Sequence, residues 1–461
     1  MTAEAPIGYA AREVVLERIL TQAMRFPDLD ITPFDPRSSV GASEIDPRDA
    51  ALARAIEHAV VRRYLTLLAC VRPHLERKWP LLEKPIQAAL LGGAAQILFL
   101  DRVPAAAAVD ASVEWTKRRL RPGAGGLVNA VLRKVAASVA EHLPVGDAAI
   151  ADHTRRDIVP LADGSAIRLT VEAFNIDAAS CLSEKTSHSR DLILHWIGAF
   201  GFKEATRLAM HDLVNAPLIV TPFDASDPRF DGRAVAHNEA GFGVWTGTHA
   251  ELTETLALMP QLRVQDPTAC ATVASLAGLL AQAPRVIVDL CAGRGTKTRQ
   301  LATMFPDATI YATDPDDARF EALAQLRLQH PNIKPLSPQS LFRDTAGRAD
   351  LLLLDVPCSN SGVLARRSEA RYRFSKGRTQ SVVELQQQIC DPAIGLVAPA
   401  GAVIYATCSI ERGENEAQTK RLASRFGLSL VVERTVFPAG QPGDAPTNYH
   451  DGGYHALLVR A

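Results

Sequence analysis

Cysteine is scarce and scattered in this chain: Cys70, Cys181, Cys270, Cys291, Cys358, Cys390 and Cys408 are all there are in 461 residues. Secreted disulfide scaffolds are short and cysteine-dense, so few cysteines in odd number predict a reducing, cytoplasmic setting. Long apolar runs are missing too. The longest nearly uncharged stretch, 86–100, is too short to cross a bilayer, and the opening MTAEAPIGYAAREVVLERIL lacks a basic region followed by an apolar one. Neither a membrane span nor an export signal is expected. There is no excess of either charge: 50 Lys and Arg stand against 51 Asp and Glu. That balance excludes a polycationic protein and confines any nucleic-acid surface to one region. No His, Cys and carboxylate grouping has metal-ligand spacing, so no metal is expected.

What is present is ordinary globular material, 47% hydrophobic and 22% charged, long enough for about three domains. Up to about residue 142 the apolar positions recur at three and four residues, as in AALARAIEHAVVRRYLTLLACV. This periodicity predicts a bundle of about five helices. Lys117, Arg118, Arg119 and Arg121, followed by Arg133 and Lys134, are expected to form a solvated face. From 143 to 265 the text mixes short strand-like runs (SAIRLTVEAF, APLIVTPF, GFGVWTG) with a helical stretch from Ser189 to Asn215, which predicts a small α+β connector. From 266 onward, short apolar runs (VIVDL, TIYATD, DLLLLD, AVIYAT) alternate with amphipathic helices. That alternation predicts a doubly wound, mostly parallel sheet whose ligands bind beyond the carboxyl ends of the strands.

The residues at those ends carry the chemistry. VIVDL runs into Cys291, Ala292, Gly293, Arg294, Gly295, Thr296 and Lys297, a glycine turn that lets backbone approach a ligand but lacks phosphate-loop spacing. TIYATD ends in Asp314, about 20 residues on, where a carboxylate can accept from two ribose hydroxyls. Alone, Asp314 would read as a helix cap; the pair suggests an adenosine-containing cofactor. The strand DLLLLD ends in Asp355-Val356-Pro357-Cys358-Ser359-Asn360-Ser361-Gly362, and the next strand in Thr407-Cys408-Ser409. A single cysteine is usually a small buried hydrophobe; two beside a carboxylate, at neighbouring strand ends, indicate chemistry. ARRSEARYRFSKGR follows, in which Arg366, Arg367, Arg371, Arg373, Lys376 and Arg378 alternate with Tyr372 and Phe374. Arginines clamp phosphates and aromatics stack on unpaired bases, so the segment is expected to suit a single-stranded or flipped-out nucleotide.

These motifs resemble the Sun/Fmu family of S-adenosylmethionine-dependent RNA cytosine-5 methyltransferases: DLCAGRGTKT its cofactor turn, DVPCSNSGVLARR its aspartate-proline-cysteine motif, YATCSIERGENEAQ its threonine-cysteine-serine motif, HDGGYHALLVRA its final hairpin. LGGAAQILFLDRVP and GGLVNAVLRK resemble a helical NusB-like RNA-binding domain. The resemblance implies a NusB-like bundle over 8–142, the α+β connector over 143–265 and a Rossmann-like α/β methyltransferase domain over 266–461. By the family pattern Cys408 is the nucleophile that adds to carbon 6 of cytosine, Cys358 assists loss of the carbon 5 proton and enzyme release, and Asp355 faces the cytosine edge near N3 and touches the cofactor. The turn from Cys291 to Lys297 and Asp314 would hold S-adenosylmethionine. Small-subunit ribosomal RNA is the expected substrate and a monomer the expected state.

The chain departs from the family pattern at several places. Arg294 and Thr296 replace the usual proline and second glycine, Asn360 stands where glycine is usual, and IKPLSPQSLF offers no acid to the adenine. Pro392 should kink or break the helix that contains it. Two other readings stand beside the leading one. A noncatalytic RNA-binding protein on a retained methyltransferase scaffold is opposed by the joint presence of Asp355, Cys358 and Cys408. A DNA cytosine methyltransferase is opposed by the second cysteine motif and the NusB-like front.

Overall fold

The structure, a computed structural model, describes residues 9–38 and 45–460; position 8 of the expected helical domain lies outside them. The chain divides into two compact units. One comprises the residues up to Asn215 together with Arg367–Ser375 and Gln441–Gly443, and the other comprises Ala216–Arg366, Lys376–Gly440 and Asp444–Ala461. The stretch expected as a connector is therefore not one subdomain, because its two halves belong to different units.

The first unit begins with five helices, α1 (Tyr9–Arg25), α2 (Pro47–Val71), α3 (Lys84–Phe99), α4 (Ala105–Arg119) and α5 (Pro122–Ser138). Asp46 caps α2, its carboxylate accepting from the Arg48 and Asp49 amides with Pro47 opening the first turn, the arrangement a helix start favours. α3, KPIQAALLGGAAQILF, is apolar almost all round, and accordingly twelve of its residues are buried among its neighbours. Lys117, Arg118, Arg119 and Arg121 lie on the surface paired with Glu114, Glu13, Glu17 and Glu83. β1 (Val139–Leu143), α6 (Ala148–Ala151), β2 (Ile158–Pro160) and β3 (Ala166–Leu169) follow, the strands forming an antiparallel sheet in the order β1-β3-β2. α7 (Ala178–Thr186), α8 (Arg190–Phe200) and α9 (Phe202–His211) complete the continuous part.

The returning segment 367–375 is built into this unit. Arg371 is 0% exposed and donates to the backbone oxygens of Arg62 and Asp212. The Tyr372 hydroxyl donates to the Val61 oxygen at 2.6 Å and accepts from the Tyr64 amide at 3.2 Å. Close by, His188 Nε2 meets Asp212 Oδ2 at 2.8 Å.

The second unit opens with a small antiparallel sheet of β4 (Ile219–Thr221), β5 (Ala234–Ala236), β6 (Gly243–Trp245) and β7 (Arg263–Val264), ordered β5-β6-β4-β7. α10 (His249–Leu258) lies between β6 and β7 in sequence and starts with a reciprocal Thr248–Glu251 capping box. After α11 (Pro267–Ala274) come β8 (Val286–Asp289), α12 (Thr296–Met304), β9 (Thr309–Ala312), α13 (Asp317–Leu326), β10 (Ile333–Pro335), α14 (Pro338–Thr345), β11 (Ala349–Asp355), α15 (Lys376–Ala393), β12 (Val397–Thr407), α16 (Glu416–Phe426), β13 (Leu428–Val436) and β14 (Gly453–Arg460). They form a seven-stranded sheet in the order β10-β9-β8-β11-β12-β14-β13. Pairing is parallel from β10 to β12 and antiparallel around β14. Leu351, Leu352, Leu353 and Leu354 of β11 are all 0% exposed, as expected of a central strand with both faces covered. α15 continues one residue past Pro392 and then gives way to a 3-10 turn over Ile394–Leu396. Strand order reverses between β8 and β11, which puts the expected ligand crevice at their carboxyl ends. No helix among the described residues is long and apolar enough to cross a membrane.

Candidate active site

β8 ends in Asp289, and the chain then turns through 290–295 into α12. Gly293 and Gly295 have φ of +59° and +83°, and a Cβ on Gly295 would sit 2.3 Å from Leu326 Cδ1. Glycine alone fits there, on conformation and on space. Arg294 and Thr296 are exposed, so their added bulk lies at the surface of the turn. Asp314, just beyond β9, accepts from the Gly293 amide at 2.9 Å and from the Asp316 amide at 3.0 Å. It therefore orders the turn directly, and the carboxylate has further lone pairs for a ligand's hydroxyls.

Asp289, which sequence reasoning did not single out, lies beneath the turn at 1% exposure. Thr298 Oγ1 donates to its Oδ2 at 2.7 Å, while its Oδ1 is buried without a hydrogen-bond partner among the described residues. Burial pushes this carboxyl up to about 7, with the negative charges of Asp355 and Asp314 adding to the effect. An orphaned buried acceptor, a left-handed glycine turn and an uncapped helix start suit a ligand that brings hydrogen-bond donors, as an adenosine-containing cofactor does.

Lys297, expected at the cofactor, extends to Asp355 at the end of β11, Nζ to Oδ2 2.7 Å. Burial works against its charge, yet the pairing with Asp355 prevails and raises its value. Beyond Asp355 the chain runs through Pro357 to Cys358, while Cys408 follows β12. In-register pairing of β11 with β12 up to Asp355 and Ala406 brings the two turns side by side, with Cys358 Sγ 3.0 Å from Cys408 Sγ. Both thiols are partly accessible. The hydrogen bond to Cys408 and burial hold the Cys358 thiol well above its ordinary value. Cys291 is also raised, by burial foremost, which leaves it an unreactive thiol of the turn.

The two turns are knitted together by hydroxyls and close backbone. Ser409 Oγ lies 3.2 Å from Ser359 Oγ and 3.1 Å from Ser361 Oγ. Glu414, fully buried, accepts from the Ser359 amide at 2.7 Å, and burial pushes it up to about 7. The Gly362 amide donates to the Cys408 oxygen at 3.0 Å, and a Cβ on Gly362 would fall 2.6 Å from the carbonyl carbon of Gly452. Gln386 of α15 supports the same turn, its Nε2 donating to the Pro357 oxygen at 3.0 Å.

The expected RNA segment needs correction. Arg371 and Tyr372 are structural: the guanidinium is spent on backbone oxygens in the interior, and the tyrosine, 4% exposed, is part of the helical core. Arg366 is held by Asp451 at 2.7 Å and by the Pro217 oxygen at 2.9 Å. Arg373 donates to the Leu29 oxygen at 3.1 Å, and Phe374 packs on His195. Arg367 and Lys376 are exposed. A basic run does not distinguish an arginine aimed at solvent from one that closes a core, and only the partners decide.

Residues 277–437 match the family model described as 16S rRNA methyltransferase RsmB/F, and residues 14–137 match the NusB family. The ribosomal RNA small subunit methyltransferase B of Xanthomonas campestris pv. campestris is 27% identical over 445 residues, covering 90% of this chain and 90% of that protein. Its counterpart from Vibrio cholerae serotype O1 is 27% identical over 446 residues, covering 90% of this chain and 91% of that protein. Among solved structures, the crystal structure of PH0851 has the same fold, with a TM-score of 0.68 over 97% of this chain and 98% of that chain at 18% identity.

Proposed function

We propose, from the RsmB/F match over residues 277–437 and the NusB match that precedes it in sequence, that the chain is a methyltransferase of this type and methylates carbon 5 of a cytosine in 16S ribosomal RNA through a covalent Cys408–cytosine adduct. The observation that carries this reading is the pair of thiols 3.0 Å apart at the ends of β11 and β12, with Asp355 on the same strand end. S-adenosylmethionine, held by the turn from Cys291 to Lys297 and by Asp314, supplies an electrophilic methyl group.

Cytosine carbon 5 is a poor nucleophile. Addition of the Cys408 thiolate to carbon 6 moves the ring π pair to carbon 5, which can then form the bond to the methyl carbon as the carbon–sulfonium bond breaks. The carbon 5 proton leaves, and its electron pair rebuilds the double bond as the sulfur–carbon 6 bond breaks. Asp355, paired with Lys297, faces the ring edge near N3 and stabilises a proton gained there as the ring becomes electron-rich. Cys358, whose sulfur lies 3.0 Å from that of Cys408, assists proton loss and release of Cys408. Arg367 and Lys376, exposed in the basic run, contact the RNA backbone.

The test is transfer of labelled methyl from S-adenosylmethionine to unmodified 16S ribosomal RNA, with denaturing gels run alongside. Wild type should label the RNA, Cys408→Ala should fall to background, and Cys358→Ala should accumulate a covalent protein–RNA adduct. A wild-type protein that neither binds the cofactor nor labels RNA would establish the noncatalytic alternative.

A further inference from the structure

Glu414 and Asn415 stand where the Cys408 turn runs into α16, and both are fully buried. The backbone oxygen of Asn415 accepts from the Gln418 and Thr419 amides at 2.9 and 3.1 Å, so this residue opens the helix. An asparagine at a helix start commonly caps it with its side chain. Here the side chain makes no capping bond and turns back to the cysteine. Its Nδ2 donates to the Ser409 oxygen at 2.9 Å, and its Oδ1 accepts from Thr407 Oγ1 at 2.6 Å. A carbonyl only accepts, so the first bond fixes the sense of the amide and makes the Thr407 hydroxyl the donor in the second. The same hydroxyl accepts from the Ser409 amide at 3.2 Å. One side chain thus ties together the residues on either side of Cys408. Glu414 reaches the other turn. Its backbone oxygen accepts from the Tyr405 hydroxyl of β12 at 2.6 Å, and its carboxyl accepts from the amide of Ser359, the residue after Cys358, at 2.7 Å.

We propose that Glu414 and Asn415 are positioning residues, one for each cysteine: Asn415 holds Cys408 for addition to the cytosine, and Glu414 holds Cys358 for the release that follows. The inference rests on the reading of Cys408 as nucleophile and Cys358 as release residue, and deepens it by naming what holds the two sulfurs 3.0 Å apart. The two residues are consecutive, with α16 anchoring the backbone of one and Tyr405 that of the other, so the two turns are referred to a single fixed point. Addition to carbon 6 requires close approach in one direction, and a displacement of about 1 Å can cost on the order of 100-fold in rate. A role in folding alone would make substitutions at 414 and 415 act alike. Separate positioning roles make them act oppositely, because one impairs the making of the adduct and the other its breakdown.

The experiment follows the covalent protein–RNA adduct on denaturing gels, using the full-length protein with S-adenosylmethionine and unmodified 16S ribosomal RNA. Glu414→Ala should accumulate the adduct, as Cys358→Ala does, with release slowed about tenfold. Asn415→Ala, placed in the Cys358→Ala background where the adduct persists, should form it on the order of 10–100-fold more slowly. Two near-isosteric variants guard against misfolding. Asn415→Asp still accepts from Thr407 but cannot donate to Ser409, and should slow adduct formation in the same sense. Glu414→Gln keeps an acceptor for the Ser359 amide and should recover most of the release lost in Glu414→Ala. Titration calorimetry should give all four variants the cofactor affinity of the parent protein. Adduct formation at the parent rate in Asn415→Asp, or release in Glu414→Gln as slow as in Glu414→Ala, would overturn the proposal, as would the same defect at both positions. If Cys408→Ala still labels RNA, the functional reading fails and this inference with it; if the cysteine variants behave as stated and these do not, this inference fails alone.

Discussion

Asp289 is a carboxyl at the crevice whose charged form the fold opposes. Its carboxyl titrates near 7 because burial opposes the charged form, against about 3.9 in an unfolded chain. The folded state therefore holds this proton more tightly than the unfolded state. The stabilisation is fully present below about pH 4 and is lost as pH rises through about 7. Asp289→Asn, which preserves an acceptor for Thr298, should flatten the fall in stability over that window and leave the variant more stable than wild type at pH 8, by on the order of 2 kcal/mol. Urea denaturation of both proteins at pH 5 and pH 8 measures this; an identical pH dependence would mean that Asp289 is ionised in the native protein. Sequence reasoning placed Asp355, Cys358 and Cys408 because their motifs are distinctive, but it passed over Asp289. An aspartate at the end of an apolar strand looks the same whether solvated or enclosed, and its burial against Thr298 of α12 emerges only in the fold.

At the scale of elements, the apolar strands β8, β9, β11 and β12 were legible because both faces are covered and the runs stand out between helices. Strands β4 to β7, two or three residues each, were only partly legible, since such short pieces are fixed by their partners rather than by their own pattern. The turn between β8 and α12 shows how far local conformation constrains the site. Gly295→Ala should cost about 1–3 kcal/mol, through a left-handed conformation that alanine resists and a clash with Leu326. Cofactor affinity should weaken with it, because the same turn displays the backbone to the crevice. Denaturant melts and titration calorimetry with S-adenosylmethionine report the two effects separately. Retained stability with normal affinity would show that the turn can relax at no cost.

At the scale of the molecule, the sequence suggested parts laid end to end, and the structure shows a chain that doubles back. The helical unit closes only when residues 367–375 return to it, bringing the buried Arg371 and the Tyr372 hydroxyl to the backbone of α2. Nothing in the periodicity of α2 announces those partners, which is why a run of arginines read as a surface. A fragment ending at residue 215 should therefore be markedly less stable than the same region in the whole protein. Leaving the backbone groups around Arg62 and Asp212 unpartnered costs about 1–3 kcal/mol for each buried group. Hydrogen exchange along α2 in the fragment and in the full chain compares the two directly, and equal protection would show that the returning segment contributes nothing.

The threading of the chain also limits how this protein can be recombined. The helical unit is encoded by three separate stretches, and the second of them begins five residues after Gly362, in the continuation of the Cys358 turn. A single crossover that exchanged the front of the gene for that of a relative would deliver a helical unit still closed by the recipient's residues 367–375. Compatible hybrids must exchange that stretch as well, so the residues that follow the cysteine turn are tied in inheritance to the N-terminal helices rather than to the strand that precedes them in sequence.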